Sequence, residues 1–324
     1  MNQHSVMKGP WSRVPLVSVI TPVYNGEVWL GEALDSALGQ TFESLEIIVV
    51  DDGSSDSSLQ VAHDRAQRAS GRITVISQNN AGLPTARNVA MNHAQGQYYA
   101  LLDADDAWQP DHLEMLMALF DRDPDLGLVH ANIERVDAGG RTLGIPNRNW
   151  STQSDAFDAL ALRHEHVSCP TAVFSRSAIE IVGGFDPLFT GLGCEDRDLW
   201  LRIAARFRIR YLDRVTARYR VHQASMSADR NRMARARQQL IVKLGQTSRG
   251  FMLVPRMEAM LLSDLGLELL DDAQYGAAIL HQWRALRLTP AEPVVQRRLI
   301  RSLLEGCRAL TGSRRWHADQ GGVS

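Results

Sequence analysis

The sequence predicts an α/β fold: a mostly parallel central sheet flanked by helices, followed by an α-helical C-terminal region. Three observations lead there. Short apolar, β-branched runs alternate with helically spaced segments from residue 16 to residue 131. The links between them are short, the pattern of βα units whose helices cover both faces of a sheet. The run Leu45-Glu46-Ile47-Ile48-Val49-Val50 is apolar nearly throughout, as a strand buried on both faces must be.

Taken in order, residues 16–21 form a strand that stops at Pro22. Residues 27–38 place Leu30, Leu34, Ala37 and Leu38 on one helical face. Residues 45–50 are the second strand, with Ser55 or Asp56 positioned to cap a helix that runs through Arg68. Residues 73–76 are the third strand. Residues 84–94 are a helix with proline near its start. Residues 98–102, 110–120 and 126–131 read as strand, helix and strand. Gly139-Gly140 marks a hairpin turn, and residues 141–167 read as irregular, lid-like chain. Then come a strand at 172–174, a short helix at 178–182, a helix at 196–206, and two strands at 208–212 and 216–221. From residue 229 onward all is helical, at 230–246, 257–270, 275–288 and 293–310. These boundaries divide the chain into a leader (1–14), an α/β domain (15–228), a helical extension (229–311) and a flexible tail (312–324).

Composition removes several function classes. The 324 residues are 44% hydrophobic and 22% charged, an ordinary globular mix. The formal net charge is −2, so the electrostatic signature of general nucleic-acid binding is absent. The three cysteines, Cys169, Cys194 and Cys307, have long spacings and no CxxC, which argues against a disulfide framework or a zinc ribbon. No apolar run approaches the roughly 18 residues of a membrane span. The N-terminal residues lack the apolar stretch of a secretory signal. The expectation is a cytoplasmic protein; Arg230, Arg232, Arg235 and Arg237 form a basic cluster that reads first as a solvated helix face and second as a surface able to meet the inner face of the membrane.

Five clusters carry candidate chemistry. Asp103-Ala104-Asp105-Asp106 ends a strand. Three carboxylates in four residues repel one another unless water or a cation intervenes, and hard ions such as Mg²⁺ or Mn²⁺ take one or two carboxylates while leaving positions for phosphate oxygens. An Asp-rich helix-capping turn explains the same residues. Asp51-Asp52-Gly53-Ser54 ends another strand, where a carboxylate can accept hydrogen bonds from a base or ribose; a helix N-cap is the competing explanation. Arg87, within Gly82-Leu83-Pro84-Thr85-Ala86-Arg87-Asn88, falls in the first turn of a helix. There a cation opposes the helix dipole, which an anionic partner would explain. Glu195-Asp196 open a helix after Gly193-Cys194; acids are favoured there anyway, and one can also serve as general base toward a hydroxyl. In Tyr219-Arg220-Val221-His222, Arg220 and His222 share one strand face, so Arg220 can pair with phosphate and His222 can ligate a metal.

The order and combination of these blocks resemble the family 2 glycosyltransferases, the inverting group with the Rossmann-like GT-A fold. The matching blocks are Ser18-Val19-Ile20-Thr21-Pro22-Val23-Tyr24-Asn25; Val49-Val50-Asp51-Asp52-Gly53-Ser54; Gly82 to Asn88; Leu102-Asp103-Ala104-Asp105-Asp106 with Trp108; and Glu195-Asp196 with Leu199-Trp200. The Tyr-Arg-Val-His block is a sixth. The resemblance covers residues 15–228 and leaves the last third unmatched. It implies a nucleotide-sugar donor, with Pro22, Tyr24 and Asp52 at the base, Arg87 near the diphosphate and Asp103 toward the ribose. It further implies Mn²⁺ or Mg²⁺ on Asp105 and His222, with Asp196 as catalytic base and Glu195 as the other acid able to take that role. The acceptor would be a hydroxyl of a glycan or lipid-linked oligosaccharide, and uridine is the base the family most often uses. Two other classes compete. A nucleotidyltransferase would carry a glycine-rich basic loop after the first strand, where this chain reads Pro22-Val23-Tyr24-Asn25-Gly26-Glu27. A catalytically silent nucleotide-sugar-binding scaffold with a partner-binding helical tail would not need acids at 103, 105 and 196.

Overall fold

The computed structural model describes residues 15–146, 155–162 and 166–311. The leader (1–14), the tail (312–324) and Trp150 of the expected lid lie outside the described residues. The chain separates into two compact units, residues 1–233 and 234–324.

The first unit is built on one sheet. β1 (Val17–Val23), β2 (Leu45–Asp51), β3 (Ile73–Ser77) and β4 (Tyr98–Leu101) are parallel in the order β3-β2-β1-β4. All residues of β1 and β2 are buried, as the unalternating apolar runs require. α1 (Leu30–Leu38), α2 (Ser58–Arg68) and α3 (Leu83–His93) connect these strands, and β5 (Ala107–Trp108) and α4 (His112–Arg122) follow β4. Leu30, Ala33, Leu34 and Ala37 form the buried face of α1, one stripe at helical spacing. Asp56 Oδ1 accepts from the Ser58 N–H at 2.9 Å, so the aspartate rather than Ser55 closes the turn into α2.

Beyond β4 the topology departs from simple alternation. β6 (Leu126–Val136) turns through Gly140, whose φ is +82°, into the short β7 (Thr142–Gly144). Residues 141–167 are therefore not irregular throughout: they contain β7 and α5 (Ala156–Ala161), which Asp155 caps by accepting from the Phe157 and Asp158 N–H groups. β8 (Val173–Ser175) inserts between β4 and β6 and is antiparallel to both. α6 (Arg176–Val182) and α7 (Glu195–Ala204) lead to β9 (Arg208–Arg220), which runs parallel to β6. The two strands expected at 208–212 and 216–221 are thus one strand. Asp213 and Arg214 form its bulge, because Leu212 pairs with Ala131 and Val215 with Asn132. Among the described residues, six of nine strands (β1, β2, β3, β4, β6, β9) point one way, and β5, β7 and β8 run against them. The carboxyl ends of the six common-direction strands gather the polar turns along one edge, the usual place for a ligand in such sheets.

The second unit is helical. α8 (Arg230–Gly245) leads into it from the first unit, followed by α9 (Ser248–Asp271), α10 (Tyr275–Leu288) and α11 (Pro293–Thr311). α9 begins nine residues before the predicted start and carries Pro255 inside it. Its small core of Ala259, Met260, Ala285 and Val295 joins α9, α10 and α11. Ser263 and Gln282, both fully buried, satisfy each other through two hydrogen bonds. No helix among the described residues is long and apolar enough to cross a membrane.

Candidate active site

The site begins with two loops that the strands deliver side by side. After β1, Asn25 adopts a left-handed conformation (φ +52°), and its Oδ1 accepts from the Ser55 N–H at 2.8 Å. The Gly26 N–H donates to Ser58 Oγ at 2.8 Å. These bonds join the β1–α1 and β2–α2 turns into one shelf. Pro22 lies within β1, while Tyr24, at its exit, is 57% exposed.

Asp52 is buried and holds the β3–α3 loop. Oδ1 accepts from Ala81 N–H at 2.8 Å and Gln78 Nε2 at 2.7 Å, and Oδ2 accepts from Gly82 N–H at 2.8 Å. Gly82 is required there: its φ is +88°, and a Cβ would stand 2.4 Å from Thr190 Cγ2. Most of the Asp52 acceptor capacity is thus spent on backbone it positions, with one lone pair free for a donor.

Arg87 is the fifth residue of α3, one turn deeper than the helix start, and it is 1% exposed. Nη1 donates to Glu195 Oε1 and Nη2 to Asp103 Oδ1, both at 2.7 Å; Nη2 also reaches Cys169 Sγ at 3.1 Å. Its Nε is buried without a partner. The sequence suggested a diphosphate contact, but the side chain is committed to two carboxylates. An arginine in a helix reads as surface charge, whereas here the partners come from distant points of the chain. Asn88 beside it exchanges two hydrogen bonds with the Phe185 backbone and docks α3 on the Gly183-Gly184-Phe185 turn.

The acidic turn follows β4. Its carboxylates have three environments. Asp103 is held by Arg87. Asp105 Oδ2 meets His222 Nε2 at 2.9 Å. Asp106 is buried, its Oδ1 accepting from the Arg220 N–H at 2.9 Å while Oδ2 has no partner. Burial and then the Asp103 charge push the Asp105 carboxyl above its ordinary range. Burial and the two neighbouring aspartates push Asp106 further. Arg220 is not a free phosphate ligand. It is 3% exposed, donating from Nε to the Asp105 carbonyl at 2.9 Å and from Nη2 to Glu32 Oε2 at 2.6 Å. It buttresses the acidic turn. Trp29 packs against the His222 ring, centroids 4.3 Å apart and planes tilted by 32°, and lies under the Arg220 guanidinium at 5.8 Å. Sequence reasoning missed Trp29; its only signal was an aromatic residue just before the first helix.

Glu195 and Asp196 open α7 after two left-handed residues, Gly193 (φ +97°) and Cys194 (φ +64°). Such a backbone is strained for cysteine and turns the helix start sharply. The two acids differ. Glu195 is 4% exposed, tied to Arg87, with Oε2 unpartnered; burial pushes its carboxyl up to about 7 against the opposing pull of Arg87. Asp196 is partly exposed and accepts from the Arg197 N–H at 2.6 Å, and burial raises it also. The glutamate faces inward, leaving the aspartate the more accessible acid.

Asp105 and His222 can hold a divalent ion. They offer a hard oxygen and an imidazole nitrogen side by side, and two protein ligands leave positions for diphosphate oxygens. Among the described residues no group of three or more His, Cys, Asp or Glu is assembled for a metal, so such an ion would need ligands from a substrate.

Comparison with known proteins gives this geometry a family. The hyaluronan synthase of Pasteurella multocida is 29% identical over 204 residues, spanning 63% of this chain and 20% of the synthase. The chain therefore spans about a fifth of that relative. An uncharacterized glycosyltransferase of Rickettsia typhi is 29% identical over 213 residues, covering 65% of both chains. Among solved structures, S. aureus TarS in complex with UDP-GlcNAc matches with a TM-score of 0.62 at 19% identity over 93% of each chain. The mannosyltransferase PcManGT from Pyrobaculum calidifontis, in complex with GDP-Man and Mn²⁺, matches with a TM-score of 0.59 at 21% identity, covering 93% of this chain and 91% of that one. These structures share the fold. The family model described as Glycosyl transferase family 2 matches residues 18–183, half of the chain, from β1 through the acidic turn to the end of α6, and the chain belongs to that family.

Proposed function

We propose that the chain is an inverting, metal-dependent glycosyltransferase that moves a sugar from a nucleoside-diphosphate sugar, foremost a UDP-sugar, to a hydroxyl of a glycan or lipid-linked acceptor. The buried Arg87 carries this reading. One guanidinium joins Asp103, in the acidic turn, to Glu195, the neighbour of Asp196. A donor site at that turn and a base at the start of α7 would then be fixed relative to each other before any ligand arrives, which is the preorganisation a positioned reaction needs.

In this scheme Pro22 and Tyr24 line the base subsite, with Asp52 holding its floor and offering its remaining acceptor site. Asp103 faces the ribose. Asp105 and His222 hold Mn²⁺ or Mg²⁺, which when bound neutralises charge developing on the departing diphosphate. Arg87 acts as a positioning residue rather than a diphosphate ligand, since both ends of its fork are occupied. Asp196 takes the proton of the acceptor hydroxyl as that oxygen attacks the anomeric carbon, and burial, by raising its carboxyl, makes the carboxylate a better proton acceptor. Attack from the face opposite the leaving group inverts the anomeric centre in one step.

The test is Asp196→Asn. General-base removal should lower turnover about 10²–10⁴-fold with donor binding unchanged. Full turnover in that variant with loss in Glu195→Gln would move the base to Glu195; no turnover by the wild type with any sugar nucleotide it binds would favour a silent scaffold.

A further inference from the structure

The second unit carries an apolar face to which neither the site nor the helical core gives a role. On α11, Ile300 (56% exposed), Leu303 (44%) and Leu304 (53%) stand at i, i+3 and i+4 and form one outward stripe. The opposite side of α11 is the packed one: Val295 and Ser302 are fully buried, and Gly306 sits against Tyr275 and Ile279 of α10. On α10, Trp283 follows Tyr275 and Ile279 in the same i+4 row and is 48% exposed; Leu280 is 44% exposed. Each of the two helices thus carries exposed apolar side chains beside its packed ones.

Arginines edge this face. Arg297, Arg301 and Arg308 are exposed along one side of the α11 stripe, and Arg287 of α10 lies over the Trp283 ring at 4.9 Å. Residues 275–311 hold six arginines, two glutamates, no lysine and no aspartate. Two of these are met within the unit, Arg301 by Glu305 at 2.8 Å and Asp271 at 3.8 Å, and Arg298 by Asp264 at 2.9 Å. An apolar stripe bordered by arginine, on a helix too polar to span a bilayer, matches the chemistry of helices that lie in a lipid interface. The long arginine stems extend along the apolar surface while the guanidinium groups reach anionic headgroups. A second copy is the poorer occupant, because pairing this face with itself would set like arginines against one another. The basic cluster suggested by the sequence is a weaker candidate, since among the described residues of α8 only Val242 is a large exposed apolar side chain and no apolar stripe accompanies the arginines.

We propose that α10 and α11 seat this chain on an anionic lipid surface, the apolar stripe entering the interface and the flanking arginines meeting the headgroups. The proposal does not depend on the reaction proposed above. It is tested by vesicle flotation of the full chain with phosphatidylcholine vesicles, with and without phosphatidylglycerol, alongside light scattering for oligomeric state. The wild type should float with the anionic vesicles and not with pure phosphatidylcholine, and less so as salt rises. Ile300→Glu/Leu304→Glu, both at exposed positions, should lower the bound fraction about tenfold or more while leaving the circular dichroism spectrum and UDP binding unchanged. Arg297→Gln should weaken binding and flatten its salt dependence. Equal flotation of the wild type and the glutamate variant would overturn the proposal. So would failure of the wild type to float at low salt, or a dimer in the wild type that the glutamate variant breaks.

Discussion

Replacing Arg87 by methionine keeps an unbranched apolar stem, shortens the side chain and removes the guanidinium that joins α3, the acidic turn and α7. The guanidinium is 1% exposed and holds two carboxylate oxygens at 2.7 Å. Deleting one partner of a buried ion pair costs about 3–5 kcal/mol because a charge is left uncompensated. The two acids share that loss unequally. The Asp103 side chain is 24% exposed and can be rescued by water, while that of Glu195 is 6% exposed and cannot. The expected loss is therefore near the lower end, about 3 kcal/mol, or about 6–12 °C in melting temperature for a unit of this size. Glu195 without its cation is pushed further upward and held protonated. Glu195→Gln in the Arg87→Met background should then recover part of the loss, a coupling of about 1–3 kcal/mol. Urea and thermal unfolding of the wild type, both single variants and the double variant would measure this. A single variant within about 1 kcal/mol of the wild type, or strict additivity in the double variant, would refute the hub.

Three further outcomes follow from the same geometry. Glu195 has a folded-state carboxyl raised from the ordinary 4.5 to about 7, so it holds a proton that the unfolded chain releases. Its favourable contribution is complete below pH 4.5 and lost as pH rises toward 7; Glu195→Gln should gain on the wild type by on the order of 3 kcal/mol between pH 4 and pH 8, and a flat difference would contradict this. Gly82→Ala should lose about 1–3 kcal/mol from the positive φ and the Thr190 contact, and Thr190→Ser, which removes the clashing methyl, should return only part of it. Arg220→Met should free the acidic turn and weaken UDP binding through Asp105 and Asp106 without touching the ligand itself, seen as a raised Kd with an unchanged number of sites.

The parallel half of the sheet was legible because its strands are short, apolar on both faces and each followed by a helix. The blocks at residues 49–54, 82–88 and 102–106 were legible because each combines a strand end with glycine or acid in fixed order. What could not be read was pairing at a distance. β8 is three residues long and finds its antiparallel place between β4 and β6 only through tertiary contact. The break at Asp213-Arg214 looks like a turn in sequence and is a bulge in space, because the partner strand continues past it. Arg87 and Arg220 are hydrophilic in any window, yet both are buried, since their partners lie between 16 and 188 residues away. The environments of Glu195 and Asp196 could not be separated from two adjacent letters; in the fold the glutamate is buried on Arg87 and the aspartate is partly exposed. The acids at 103, 105 and 196 each have a structural explanation when taken alone, as a capping turn or a helix start, and stood out as candidates through the order and combination of the blocks that hold them.

In the proposed reaction Asp105 and His222 would hold a divalent ion, and the nucleotide diphosphate would complete its ligands. The most direct measurement is a calorimetric titration of UDP into the wild type and Asp105→Ala, first with Mn²⁺ and then with EDTA. Asp105 is part of a turn clamped by Arg220 through its backbone carbonyl, so the variant should keep its fold. The account predicts binding by the wild type with Mn²⁺, abolished by EDTA and by the substitution. UDP binding of equal affinity in all four titrations would contradict it.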